Sequence, residues 1–172
     1  MMHAKWRGIA QTRIATPLGP MTALATDAGL AGLWFDAQAH HPGPLQAPVD
    51  PNHPHLRAAQ RWLAAYWAAA GGTAIQAIES VPLDLHGTPF QRAVWTALQA
   101  LPAGATSTYA AIAQAAGSPA AVRAAGAAIG RNPVSVIVPC HRVLGRDGSF
   151  TGYAGGLERK QALLVHEGAI PA

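Results

Sequence analysis

One cysteine, Cys140, stands in the 172 residues, and His141 and Arg142 follow it directly. A thiol beside an imidazole and a guanidinium is material for nucleophilic catalysis: a base to take the proton and positive charge to favour the thiolate. A lone cysteine is more often a small buried apolar residue. Here it follows the β-branched run 134–138 through Pro139, so the chain turns at the sulfur and presents it at the end of a rigid element. Glu167, on the last helix, is the carboxylate best able to orient His141; a solvated helix end is its alternative reading. One cysteine excludes a disulfide framework and any site needing several cysteines.

The elements that must hold these residues read as follows. Residues 9–16, 21–26 and 30–35 have the pattern of short strands, separated by Pro17-Leu18-Gly19-Pro20 and Asp27-Ala28-Gly29, which suggests an antiparallel meander. Residues 38–54, rich in His, Pro, Gly and Asp, read as a surface loop. Leu56, Ala59, Leu63 and Tyr66 or Trp67 recur at helical spacing over 55–70, and Gly71-Gly72 ends that helix. Residues 74–85 read as an extended linker.

The second half reads as short helices. Thr88 caps a helix with Pro89 in its first turn, running to about Leu101. Thr108 caps the next, over 109–116, which ends at Gly117. Ser118-Pro119 opens a third, reaching to about Gly130. Two short helices joined by a glycine turn match a helix-turn-helix pattern. The third helix is nearly all Ala and Gly, with Arg123 its one charge. It can lie very close to another surface but offers few groups for reading base edges. DNA contact and ordinary core packing remain equal readings of it. Residues 134–138 read as a buried strand, Val143-Leu144 as a second extended piece, 150–156 as a Gly-rich loop and 157–167 as a final helix. The pattern predicts an α+β protein: a small N-terminal antiparallel-sheet domain over 1–84, and a helical, winged-helix-like domain with a helix-turn-helix over 85–172.

Half the residues are hydrophobic and only 12% are charged, which excludes a disordered chain. The net charge of +4 is unevenly placed. Bases and acids balance up to His86, and the whole excess lies from Gly87 onward. That asymmetry points to an anionic partner for the second half. The apolar stretch 62–75 is too short to span a bilayer, and no secretory leader is legible, so a cytoplasmic protein with a reduced thiol is expected.

Ile137-Val138-Pro139-Cys140-His141-Arg142-Val143 resembles the active-site signature of the O6-alkylguanine-DNA alkyltransferases. The resemblance extends over 87–168 through Thr88-Pro89-Phe90-Gln91, Ser107-Thr108-Tyr109, Arg123, Arg131-Asn132-Pro133, Tyr153-Ala154-Gly155-Gly156, Lys160 and His166-Glu167-Gly168. It implies a ribonuclease H-like N-terminal domain and repair by direct reversal. The alkyl group of O6-alkylguanine, with O4-alkylthymine a further candidate, would pass irreversibly to Cys140 without a cofactor. It further implies His141 as a base acting through a water, Glu167 as its holder, Asn132 as the brace of the cysteine turn, and Tyr109 as the group meeting guanine N3. Val143, Gly152, Tyr153, Ala154 and Lys160 would form the guanine pocket. Arg123 would replace the extruded nucleotide, with Ala121, Ala124, Gly126 and Arg142 in the same DNA-binding set. The implied partner is duplex DNA, approached by its minor groove, and the protein a monomer that touches no membrane.

Two departures qualify the resemblance. Some relatives bind zinc through cysteines in the N-terminal half, and none stands there; His3, His40, His41, His53 and His55 are the remaining metal candidates, a flexible loop being the plainer reading. Gly152 and Ala154 give the pocket a small rim, which suggests room for alkyl groups larger than methyl. The rival readings are a thiol hydrolase using Cys140 with His141 or His166, a lesion binder that transfers nothing, and a sequence-specific transcription factor.

Overall fold

The computed structural model describes residues 6–172; His3 therefore lies outside the described residues. Strands β1 (Ala10–Ile14), β2 (Met21–Ala25) and β3 (Leu30–Phe35) form an antiparallel sheet in the order β1-β2-β3. In β1 burial alternates, with Ala10 and Thr12 inward and Arg13 exposed, as a strand with one wet face requires. Every residue of β3 is buried. Its outer edge is covered along its length, which removes a row of unpaired backbone groups. Leu30 N–H donates to Pro82 O at 2.8 Å and Asp84 N–H to Leu30 O at 2.9 Å. Further along, Leu33 N–H donates to Pro133 O at 2.8 Å, and Ser135 N–H to Leu33 O at 2.9 Å. The sheet thereby grips the segment that leads to the cysteine.

Helix α1 (Pro54–Ala68) packs across the sheet through Leu56, Ala59, Leu63 and Tyr66. The stretch expected as an extended linker begins instead with a short helix, α2 (Gly72–Gln76), which buries Ile75. Helix α3 (Pro89–Gln99) starts with a reciprocal cap: Gln91 N–H donates to Thr88 Oγ1, and Thr88 N–H to the Gln91 side-chain oxygen. After the two-residue strand β4 (Ser107–Thr108), Thr108 caps α4 (Tyr109–Ala115). Gly117 adopts φ 82, so that Ser118 N–H reaches Ala113 O and Gly117 N–H reaches Gln114 O. This left-handed cap turns the chain into α5 (Val122–Gly130). Helix α5 begins four residues later than the sequence suggests, because 118–121 form a turn closed by Ala121 N–H to Ser118 O. Trp95 Nε1–H donates to Ala128 O and ties α5 to α3.

The strand expected over 134–138 does not form. Val134 makes one isolated bridge to Leu33, and the rest folds into successive turns, with Val136 held at φ 72. The Asn132 side chain dictates this: its amide donates to Val138 O at 2.7 Å, and its oxygen accepts from Val134 N–H at 3.0 Å. Those bonds satisfy backbone groups that a partner strand would otherwise take. A β-branched residue in the left-handed region is strained and persists only where its surroundings over-determine it. A single 3-10 turn (Cys140–Arg142) follows, then β5 (Val143–Leu144), which runs parallel to β4, and α6 (Leu157–His166). One apolar core runs through both halves, from Met21 and Phe35 to Trp95, Ile129 and Leu163. Among the described residues no helix is long and apolar enough to cross a membrane.

Candidate active site

Cys140 and His141 sit on the 3-10 turn, and Glu167 arrives from the far end of α6. Gly168, at φ 73, lets Ala169 N–H reach Leu164 O and Gly168 N–H reach Val165 O. That cap closes α6 with Glu167 turned into the core, where its side chain is fully buried. His141 Nε2 lies 2.7 Å from Glu167 Oε1. Arg142 donates from Nε to Oε2 at 2.8 Å and from Nη2 to Oε1 at 2.9 Å. Tyr66 Oη–H on α1 donates to Oε1 at 2.9 Å. Burial alone would raise the Glu167 carboxyl. The bonds and charges of His141 and Arg142 together outweigh it and hold the group below the usual carboxylate range.

An ionised Glu167 fixes the histidine. Its oxygen can only accept, so Nε2 carries the imidazole proton and Nδ1 keeps its lone pair. Burial, ahead of every other cause, lowers the His141 pKa, so the ring is neutral at pH 7. Nδ1 is itself buried and has no hydrogen-bond partner among the described residues. Burial also raises the Cys140 thiol; the Asn132 amide, the Lys160 charge and the backbone N–H groups of Cys140 and His141 oppose that rise without reversing it. The resting sulfur is therefore a thiol in need of a base.

Two expectations for Arg142 are corrected here. It is buried, and its guanidinium is committed to Glu167 and to Leu101 O at 2.7 Å. Buried and so bonded, it has little surface to offer DNA and its charge is balanced by Glu167, because a buried carboxylate holding a neutral imidazole requires its own counter-charge.

A cleft of about 600 Å3 opens above Cys140. One wall is α5, with Val122, Arg123, Gly126 and Ile129; the other is the loop of Thr151, Gly152, Tyr153 and Ala154. Tyr109 lines it as well, accepting a hydrogen bond from Thr151 Oγ1 at 3.0 Å. Lys160 lies beneath the loop rather than in the cleft. Its buried ammonium donates to Val143 O at 2.6 Å and to Gly152 O at 3.0 Å. Val143 is fully buried and does not line the cleft; its carbonyl accepts from Lys160. On α5, Ala125 and Ala128 pack inward, while Arg123, Ala124 and Ala127 are exposed; Ala121 is the N-terminal flanking residue. The packing reading of this small-residue helix accounts for its inner face, and its outer face is left open to solvent.

Three contributors escaped the sequence reading. Ala39 and His40 from the N-terminal half line the cleft, with Ala39 N–H donating to Ala154 O at 2.8 Å. Tyr66 was legible only as an inward apolar position, although a buried tyrosine hydroxyl needs a partner. His166 donates from Nε2 to Tyr66 O at 2.6 Å, away from the sulfur. Among the described residues no group of three or more His, Cys, Asp or Glu side chains gathers as a metal site. His53 Nδ1 instead accepts from His55 N–H at the start of α1, and His41 Nδ1 accepts from Gly43 N–H.

Comparison with known proteins adds the following. A family model described as the DNA-binding domain of 6-O-methylguanine DNA methyltransferase matches residues 89–169. A methylated-DNA–protein-cysteine methyltransferase of Mycolicibacterium paratuberculosis is 41% identical over 155 residues, covering 90% of this chain and 89% of that protein. A Shigella flexneri protein of the same name is 53% identical over 93 residues, 54% of each chain, so this chain spans about half the length of that relative. The crystal structure of Mycobacterium tuberculosis OGT in complex with DNA superimposes with a TM-score of 0.81 at 38% identity, covering 95% of this chain and 96% of that one. A Methanococcus jannaschii O6-methylguanine DNA methyltransferase shares the fold, with a TM-score of 0.63 at 23% identity.

Proposed function

The chain belongs to the methylated-DNA–protein-cysteine methyltransferase family, and from that membership we propose that it repairs O6-alkylguanine in DNA by moving the alkyl group irreversibly onto Cys140. The observation that carries this reading is the buried pairing of His141 with Glu167 beside the only thiol, at the floor of an open cleft. The alkyl carbon on guanine O6 lies within the base stack, so the nucleotide must first swing out. Arg123, exposed at the cleft edge, fills the gap it leaves. Helix α5 lies along the minor groove through exposed Ala124, with half-buried Ala121 and Gly126 as the small residues that allow a close approach. The substrate is duplex DNA, and the protein acts as a cytoplasmic monomer.

His141 Nδ1 takes the thiol proton, directly or through a water, and the sulfur attacks the alkyl carbon. The S–C bond forms as the C–O6 bond breaks, and the electron pair departs with the guanine. Tyr109, whose oxygen already accepts from Thr151, is free to donate its own proton to the leaving base at N3. Asn132 braces the turn beneath the sulfur. Lys160 holds the Gly152-Tyr153-Ala154 rim, and Val143 supports it from below. Residues 1–84 and 85–172 act as a bracing sheet region and a DNA-binding alkyltransferase region. The product is a thioether that no residue nearby can hydrolyse, so each molecule acts once. O4-alkylthymine is a second candidate substrate, and the small rim admits groups larger than methyl.

Mixing the protein with a duplex containing O6-methylguanine tests this. The expected result is a burst that stops at one methyl per protein. Continued turnover indicates a hydrolase, and a mobility shift without methyl loss indicates a binder; either overturns the proposal.

A further inference from the structure

We propose that Tyr66, on α1 of the N-terminal half, is a positioning residue for this reaction, its hydroxyl setting how tightly Glu167 holds His141. This inference rests on the alkyl-transfer reading above. Oε1 of Glu167 receives three donors: Tyr66 Oη at 2.9 Å, His141 Nε2 at 2.7 Å and Arg142 Nη2 at 2.9 Å. A carboxylate oxygen has about two lone-pair sites, so the donors compete for one atom. Each draws charge from it, and removing one makes it a stronger acceptor for the rest. Without Tyr66, Oε1 bonds the imidazole more strongly, but the carboxylate has one restraint fewer and the ring bonded to it turns with it.

Packing alone does not account for the tyrosine. A phenylalanine would fill the same space, where the ring stacks on Trp62 at 5.0 Å between centroids. Instead, both ends of Tyr66 are bonded to the end of α6. Its carbonyl accepts from His166, whose ring lies 4.9 Å from the Tyr66 and Trp67 rings, and its hydroxyl donates to the adjacent Glu167. Burial first, and then the charge of Glu167, raise the phenol well above its ordinary pKa, so it donates at every pH at which the protein works.

Tyr66→Phe keeps the ring and removes the bond. Its single-turnover transfer rate is expected to fall about five-fold at neutral pH, because a carboxylate held by one hydrogen bond fewer aims the ring at the thiol less well. The acid limb of its rate profile moves to higher pH, because the freed Oε1 stabilises the imidazolium better. The His141 Nε2 proton resonance moves downfield. Ring-fluorinated tyrosine at position 66, a stronger donor, moves limb and resonance the opposite way and serves if Tyr66→Phe does not fold. Leu56→Val, buried on the same helix, lowers the melting temperature and moves neither. A limb and resonance unchanged by either Tyr66 replacement overturn this inference and leave alkyl transfer standing. A parent protein that transfers nothing overturns the alkyl-transfer reading, while the resonance still decides the coupling of Tyr66 to His141.

Discussion

The two halves of the molecule bury different things. Up to residue 84 the buried side chains are almost all apolar, with Thr12 and Gln38 the polar exceptions among the described residues. After it, Asn132, Ser135, His141, Arg142, Lys160 and Glu167 are all buried, and most of them bond to the turn that carries Cys140 or to one another. The first half makes regular strands and a helix whose inward face is apolar. The second contains a strained valine, a chain of turns and a charge network. Buried charges stabilise little by themselves, since desolvation offsets their attraction. Their value here is to keep an imidazole neutral and oriented beside a thiol. The first half contributes by covering: β3 grips the Asn132 turn, Gln38 accepts from Ser135 Oγ at 3.1 Å, and Tyr66 reaches Glu167.

The sharpest way to break this contrast is Glu167→Gln. It leaves the buried Arg142 guanidinium without its counter-charge, and denaturant unfolding should show a loss of about 3–5 kcal/mol. Transfer, read in single turnover, should slow by about 10²-fold as His141 loses its anionic holder. Asn132→Ala comes next. Two buried bonds disappear and the turn over 134–138 loosens, with an expected loss of about 2–4 kcal/mol by the same measurement and slower transfer.

A smaller effect is the pH dependence of the melting temperature. His141 has a lowered folded pKa, so below the unfolded value of about 6.5 the unfolded chain binds the extra proton and stability falls. Glu167, also lowered, adds to the fall below about pH 4.3. Cys140 is raised, so above about pH 8.5 the unfolded chain loses its thiol proton first and stability falls again. The optimum therefore lies between about pH 6.5 and 8.5, and Cys140→Ser should flatten only the alkaline side. Smallest of all is Arg13→Ala in the first half. It removes an exposed ion pair with Asp36 and should change stability by about 0–1 kcal/mol. A larger loss there than at Glu167 would invert the comparison.

What sequence can and cannot reveal follows the same division. The Thr88-Pro89-Phe90-Gln91 cap, the meander and the helix over 109–115 are local signals, and the structure contains them. The Cys140, His141 and Glu167 grouping was legible from chemical type and from the family resemblance. Residues 134–138 misled because β-branching is a local preference, and two long-range grips override it: the edge of β3 and the Asn132 side chain. Arg142 misled because charge reads as surface until its partner, 25 residues on, is seen to be buried. Tyr66 was hidden by its spacing, since an inward tyrosine on an amphipathic helix looks like any apolar residue.

The most direct test is peptide mapping by mass after reaction with a duplex carrying one O6-methylguanine. The account predicts a single methyl on the peptide bearing Cys140, restored guanine in the DNA and no methyl on any other residue. A modified residue elsewhere, or full repair by a folded Cys140→Ala variant, would contradict it.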